Sequence, residues 1–320
     1  MNLELLKFRL SMYLTLLIII GVTALIVSFV LALVGVFNVY LIAGIVAVIN
    51  VVEWLYGPKL IDYIYRVREA RPGELDDVRA MISRISQRAG IKEPKLMVAE
   101  IDIPNAFAYG SPLTGNRVAV TRGLLRILSP DEIEAVLGHE LGHIRHRDVQ
   151  VMLFVSMLPA ILYYIAYTFM ISSFFEERNN AAGLLALIGF VSFIGYIVLN
   201  LLVLAFSRSR ETFADIHATQ VVDGGARKLS SALAKLYIYS YIISHRKPKE
   251  ARAASTTRAL FIIDPASLNV DDLRSLSGEE ALEYVANRKM TFTDRIMELL
   301  STHPNIIRRI KLLRRLEGSA

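Results

Sequence analysis

Leu137-Gly138-His139-Glu140-Leu141-Gly142-His143 contains the spacing H-E-x-x-H. On a helix, His139 and His143 lie one turn apart and project from the same face. Two imidazoles so placed can close on one zinc ion, with bonds of about 2.0–2.1 Å. Glu140 stands beside the pair, free to act on an attacking water rather than on the metal. The flanking residues signal the helix. Ser129 suits the N-cap, Pro130 the first helical position and Glu132 the third, which makes a capping box. Ile133, Val136 and Leu137 then recur at helical spacing. A surface helix with two histidines would spell the same five letters, so the rest of the chain must decide.

Composition narrows the choice. Of 320 residues, 54% are hydrophobic and 21% charged, and the mean hydropathy is positive. That is too apolar for an ordinary soluble protein and points to a membrane protein. The net charge is +6. In this setting basic residues set topology and contact anionic lipid, and no nucleic-acid-binding motif accompanies them. Cysteine is absent, which excludes a disulfide framework, a thiolate metal site and a thiol nucleophile. A metal must be held by His, Glu or Asp.

The order of segments predicts a mainly α membrane protein with four transmembrane helices and a polar α+β domain. Leu10 to Val52 carry no charge. One straight helix of that length would run about 65 Å, twice the hydrocarbon thickness. The segment 1–58 is therefore read as a hairpin, with spans of about 10–34 and 39–57. A polar segment, 59–148, follows. In it Leu75, Val78, Met81, Ile82 and Ile85 form a helical stripe ending near Gly90. Lys95 to Glu100 reads as a strand. Asn105 to Tyr109 and Arg117 to Thr121 read as a hairpin around a Gly110–Asn116 loop. The segment 149–207 is a second apolar hairpin, with spans of about 149–175 and 181–206. The segment 208–320 returns to polar, helical sequence.

Lys7, Arg9, Lys59, Arg66, Arg68, Arg145, Arg147, Arg208 and Arg210 flank one side of these spans. The other side has Arg178, offset by Glu176 and Glu177. The asymmetry puts both termini and both polar segments in the cytoplasm, where they can build one domain.

Two histidines leave a catalytic metal site short of a third protein ligand. A third histidine six residues after the second is ruled out by Val149. His146 shares a face with His139, but the two are about 10 Å apart along the axis, so His146 is read as an interfacial polar residue. The stretch Ser207-Arg208-Ser209-Arg210-Glu211-Thr212-Phe213-Ala214-Asp215 offers more. Glu211 and Asp215 are one turn apart. That allows Glu211 to bind the metal while Asp215 accepts a hydrogen bond from a ligand histidine. Taken alone, the stretch also suits a juxtamembrane turn making surface salt bridges.

Together these motifs resemble the HtpX-type membrane proteases of family M48, relatives of the Ste24 prenyl proteases. The resemblance runs from about Glu69 onward. It includes Pro104-Asn105-Ala106-Phe107-Ala108, the H-E-L-G-H helix with Arg147-Asp148 after it, S-R-S-R-E-x-x-A-D, and Ser301-Thr302-His303-Pro304. Tyr109 and Asn305 depart from residues the family often has there. The resemblance implies a zincin-like (gluzincin) protease domain with one zinc on His139, His143 and Glu211, and Glu140 as acid and base. It implies hydrolysis of misfolded or damaged membrane proteins at the cytoplasmic face of the cell membrane. His303, a histidine inside a family-like motif, is the expected oxyanion donor, and Arg210 is the other candidate. The strand Asn105, Ala106, Phe107, Ala108 is expected to offer an edge to an extended peptide; plain sheet packing would explain Phe107 equally well.

Two other readings are a prenyl-type protease and a non-catalytic membrane scaffold with a structural metal. Four spans argue against the first and Glu140 against the second. Intramembrane proteolysis would need the motif in an apolar span, whereas Asp131, Glu132, Arg145 and Arg147 flank it. Substrate identity and oligomeric state are not legible in the sequence.

Overall fold

The computed structural model describes residues 39–175, 181–246, 278–286 and 290–318. The expected first span, about 10–34, lies outside the described residues. Contacts divide the described chain into two units: an apolar one, up to residue 55 and from 150 to 206, and a polar one, 56–149 and from 207 onward.

Among the described residues, three helices are long and apolar enough to cross a membrane: α1 (Val39–Ile64), α5 (Asp148–Phe175) and α6 (Ala181–Val221). In the apolar unit, Val46 and Tyr164 form a small buried cluster with Ala160, Ile161 and Tyr163. A Cβ at Gly189 would stand 2.6 Å from the Met170 side chain and 3.1 Å from the Ala166 carbonyl. This glycine lets α5 and α6 approach closely, the usual way of packing helices in lipid. Outward faces carry Phe154, Leu158, Phe174, Leu184 and Phe190, all exposed, as lipid contact requires.

The apolar and polar units divide between Phe206 and Ser207, next to the expected boundary at 207–208. Helix α6 does not stop there: one helix of 41 residues runs through it. The sequence has no Gly or Pro from residue 196 to 223, and the helix ends only where Gly224 takes a positive φ of 66°. At about 1.5 Å per residue it is roughly 60 Å long, about twice the hydrocarbon thickness. Its charged last third, from Arg208, therefore extends beyond the bilayer core.

The polar unit is built on a four-stranded sheet in the order β1-β2-β4-β3. The strands are β1 (Val67–Glu69), β2 (Lys95–Ala99), β3 (Ala106–Ser111) and β4 (Gly115–Thr121). The β2–β4 pair is parallel and the other two are antiparallel. Residue alternation sorts the two faces. Leu96, Val98, Val118 and Val120 join the main core with α2 (Asp76–Ala89) and α4 (Pro130–Arg145). Met97, Ala99 and Ala119 face a second cluster with Tyr65, Val67 and Tyr109. The hairpin loop is tighter than Gly110–Asn116, because Gly110 pairs with Asn116 and Ser111 with Gly115. A Cβ at Gly110 would fall 2.4 Å from the Gly115 carbonyl oxygen, so only glycine permits that pairing.

The short α3 (Arg122–Ile127) links β4 to α4. Among the described residues, the unit also holds helices α7 (Gly225–Arg246), α8 (Gly278–Ala286), α9 (Phe292–Leu299) and α10 (Ile306–Glu317).

Candidate metal centre

Helix α4 starts as its sequence dictates. The Ser129 hydroxyl accepts from the Glu132 N–H, and Glu132 accepts from the Ser129 N–H at 2.8 Å. The same buried Glu132 carboxylate also accepts from Ser231 and, at 3.1 Å, from the buried Lys235. The capping box thus doubles as an anchor onto α7.

Glycine sets the distance between α4 and the polar end of α6. A Cβ at Gly142 would stand 3.2 Å from the Ala214 Cα and from His217, and one at Gly138 2.8 Å from Val222 and 3.4 Å from the Ala218 Cα. Glycines four apart on α4 thus face alanines four apart on α6. The two backbones approach closely enough for side chains on the adjoining stripes to share one point in space. The histidines and Glu211 stand on those stripes.

His139 Nε2 and His143 Nε2 lie 3.2 Å apart. The Glu211 carboxylate oxygens are 3.6 Å from the first and 3.5 Å from the second. One donor atom from each residue falls within 4.8 Å of the others. A convergence of two imidazole nitrogens and a carboxylate, with no competing backbone ladder, is a donor set that fits a metal ion.

Each histidine has its own carboxylate on the far ring nitrogen. His139 Nδ1 lies 2.9 Å from Asp215 Oδ1, and His143 Nδ1 lies 2.6 Å from Asp148 Oδ2. Donation from Nδ1–H leaves both Nε2 lone pairs directed at the shared point. Asp148 reaches His143 because the chain turns sharply between α4 and α5, with Arg147 at a φ of 55°. That is a costly conformation for a residue with a side chain. Burial opposes a charge on His143, but the bond to Asp148 and the charges of Glu140, Glu211 and Asp148 together outweigh it and push the imidazole up to about 9. Burial pushes the Glu140 carboxyl up as well, against the pull of both imidazoles.

Arginines complete both arms. Arg309 of α10 is buried and donates to Asp215 at 2.6 and 2.8 Å, with its third nitrogen 3.4 Å from Glu211. Arg210 donates from Nε to Asp148 at 2.7 Å and from a terminal nitrogen to the His146 carbonyl at 2.8 Å. Arg210 therefore meets the donor set through Asp148. His303 is brought to the centre directly, its Nδ1 2.9 Å from Glu211 Oε2. His146 is not brought there. It caps α4 and lies edge-on to His217, with ring centroids 5.5 Å apart.

Glu140 accepts a hydrogen bond from the Ala108 N–H at 2.9 Å. Ala108 and Ala106 pack toward the α4 side of the sheet, while Phe107 sits with Tyr65 and Tyr109 on the other. Among the described residues, strand β3 has β4 on one side only, and the Ala108 N–H belongs to its other edge.

Arg309, the histidine role of Asp148 and the glycine pair escape sequence reasoning. For the glycines a signal was present, the G-x-x-x-G repeat inside the H-E-x-x-H helix. For Arg309 there was none, since α10 holds Arg308, Arg314 and Arg315 as well.

Comparison with known proteins agrees with this geometry. Residues 72–317 match the family described as Peptidase family M48. The chain is 38% identical over 276 residues to "Protease HtpX homolog" of Thermoplasma acidophilum, covering 85% of this chain and 84% of that protein. It is 39% identical over 273 residues to the protein of the same name from Aeropyrum pernix, covering 83% and 82%. The crystal structure of S. mikatae Ste24p shares the fold, with a TM-score of 0.54 at 18% identity over 98% of this chain and 67% of that one. With three membrane-capable helices among its described residues and a cluster of side chains that could hold a metal ion, the chain is a membrane metallopeptidase belonging to family M48.

Proposed function

We propose that the protein is a zinc endopeptidase that cleaves membrane proteins at the cytoplasmic face of the cell membrane, with His139, His143 and Glu211 as the zinc ligands. The observation that carries this reading is the convergence of the two Nε2 atoms with the Glu211 carboxylate. Donors of a tetrahedral zinc with bonds of about 2.0–2.1 Å stand about 3.3–3.4 Å apart. Here the two nitrogens are 3.2 Å apart, with one Glu211 oxygen 3.6 Å from His139 and the other 3.5 Å from His143.

When bound, zinc lowers the pKa of the attacking water and polarises the scissile carbonyl. The remaining work falls to side chains. Glu140 takes a proton from that water as its oxygen bonds to the carbonyl carbon, and delivers a proton to the amide nitrogen as the C–N bond breaks. His303, about one-third exposed beside Glu211, donates to the developing oxyanion. Arg210 contributes by holding Asp148, and through it His143. The open edge of β3 at Asn105–Ala108 receives the substrate as an added strand, and main-chain bonding of that kind demands little of its sequence. The Lys and Arg distribution supports the cytoplasmic orientation: Lys59, Arg66, Arg68, Arg145, Arg147, Arg208 and Arg210 all belong to the polar unit.

The test is digestion of an unfolded membrane protein by the purified full chain, with zinc and after chelation, beside Glu140→Ala. Chelation should abolish cleavage, and Glu140→Ala should lower the rate by about 10²–10⁴-fold or more. Cleavage at the wild-type rate by zinc-replete Glu140→Ala protein would refute the role given to this residue.

A further inference from the structure

Helix α9 is inside out. Successive residues of a helix are about 100° apart, so Phe292, Ile296, Leu299 and Leu300 fall on one stripe. All four are exposed, at 77, 42, 58 and 63%. The opposite side carries Asp294 and Glu298, which are turned into the protein and buried. Asp294 completes a capping box with Thr291. Glu298 accepts from the Asn305 N–H at 3.3 Å and pairs with Arg308 at 3.4 Å. A surface helix in water is patterned the other way round.

The position of α9 says what covers the stripe. Arg208 donates to the carbonyls of Glu298, Leu299 and Ser301 at 3.0, 3.1 and 2.9 Å. The first two belong to the last turn of α9, where intrahelical partners run out, and Ser301 follows the C-cap Leu300. Ser207 donates to the Thr302 carbonyl at 3.0 Å. Ser207 and Arg208 are the residues at which α6 passes from uncharged to charged sequence. The C-terminal end of α9 is therefore pinned where α6 leaves the hydrocarbon. An apolar stripe at that depth meets the boundary between headgroups and acyl chains. Arg295, exposed on the same helix, suits anionic headgroups.

We infer that α9 is a membrane-surface docking helix, with Phe292, Ile296, Leu299 and Leu300 seated in the interfacial layer of the bilayer at the leaflet where α6 exits. The loop that follows carries His303, so the bilayer fixes one end of the segment that brings this histidine to Glu211. The inference uses the membrane character of the chain and stands apart from the chemistry proposed above.

The chain has no cysteine, which allows single-site labelling of the full protein. Phe292→Cys, Ile296→Cys and Leu300→Cys would each carry an environment-sensitive fluorophore after reconstitution into phosphatidylcholine vesicles containing phosphatidylglycerol. Asp77→Cys, on exposed α2 surface, gives the aqueous reference, and Phe190→Cys, on the outward face of α6, gives the hydrocarbon reference. All five side chains are exposed on the protein surface, so none of the replacements removes a packed core group. The expected result is quenching of the three α9 labels by nitroxide lipids, stronger with shallow than with deep nitroxides, and protection from aqueous iodide. Depth should correspond to about 5–10 Å into the headgroup and acyl boundary. Iodide quenching equal to that at Asp77 would overturn the inference. So would protection from both quenchers, which would mean that protein covers the stripe, either residues 247–277 or a second copy of the chain.

Discussion

The two histidines of the candidate metal centre are held by matching arms in unlike surroundings. His139 leans on Asp215, and Asp215 on Arg309. His143 leans on Asp148, and Asp148 on Arg210. The Asp215 side chain is wholly buried and that of Arg309 is 10% exposed, whereas those of Asp148 and Arg210 are 9% and 18% exposed. The first arm ties α4 to α6 and α10, with 170 residues of sequence between His139 and Arg309. The second stays at the α4–α5 junction and the nearby turn of α6. The same chemistry thus serves two ends: the buried arm is a structural keystone that also orients His139, and the outer arm chiefly orients His143.

The largest separation between the arms should come from removing the arginines. Arg309→Ala leaves the Asp215 carboxylate buried without its bidentate partner. Breaking a buried pair in this way costs about 3–5 kcal/mol, enough to remove much of a domain's stability. Arg210→Ala leaves Asp148 still bonded to His143 and nearer to water, so the loss should be closer to that of one charged hydrogen bond, about 1.5–3 kcal/mol. Thermal unfolding of both variants in one detergent checks the order. Equal losses would erase the distinction between keystone and orienting arm.

A smaller effect should appear in metal affinity. Asp215→Asn and Asp148→Asn keep size and shape but exchange the carboxylate for an amide. Each should weaken zinc binding by about 10–100-fold, as loss of a carboxylate behind a ligand histidine does. Competition with a chromophoric chelator measures this directly. If either change leaves affinity untouched, that aspartate does not orient its histidine.

What could be read beforehand follows the range of the interactions. The α4 helix was legible because its capping box, proline and apolar stripe lie within a few residues of each other, and the same window carries His139, Glu140 and His143. Glu211 and Asp215 were legible as a pair because one helical turn separates them. The second apolar hairpin was plain from charge alone. Arg309 was not legible, because its partner lies 94 residues away and its own helix reads as an amphipathic surface helix rich in arginine. The exposure of α9 was hidden for the opposite reason. Phe292, Ile296 and Leu299 have the spacing of a core stripe, and sequence cannot tell a stripe that faces a core from one that faces lipid. The three-residue β1 is too short to carry an alternation, and it exists because β2 offers it an edge.

The central claim is that Glu211, from a helix that begins in the apolar unit, completes a metal site whose other two ligands stand on α4. It is tested most directly by the zinc content of purified full-length Glu211→Ala protein, measured by atomic emission beside Glu140→Ala and His139→Ala. The account expects Glu140→Ala to keep its zinc, because this residue bonds to Ala108 and lies outside the donor set. It expects Glu211→Ala to lose zinc as fully as His139→Ala does. A folded Glu211→Ala protein with wild-type zinc content would contradict it.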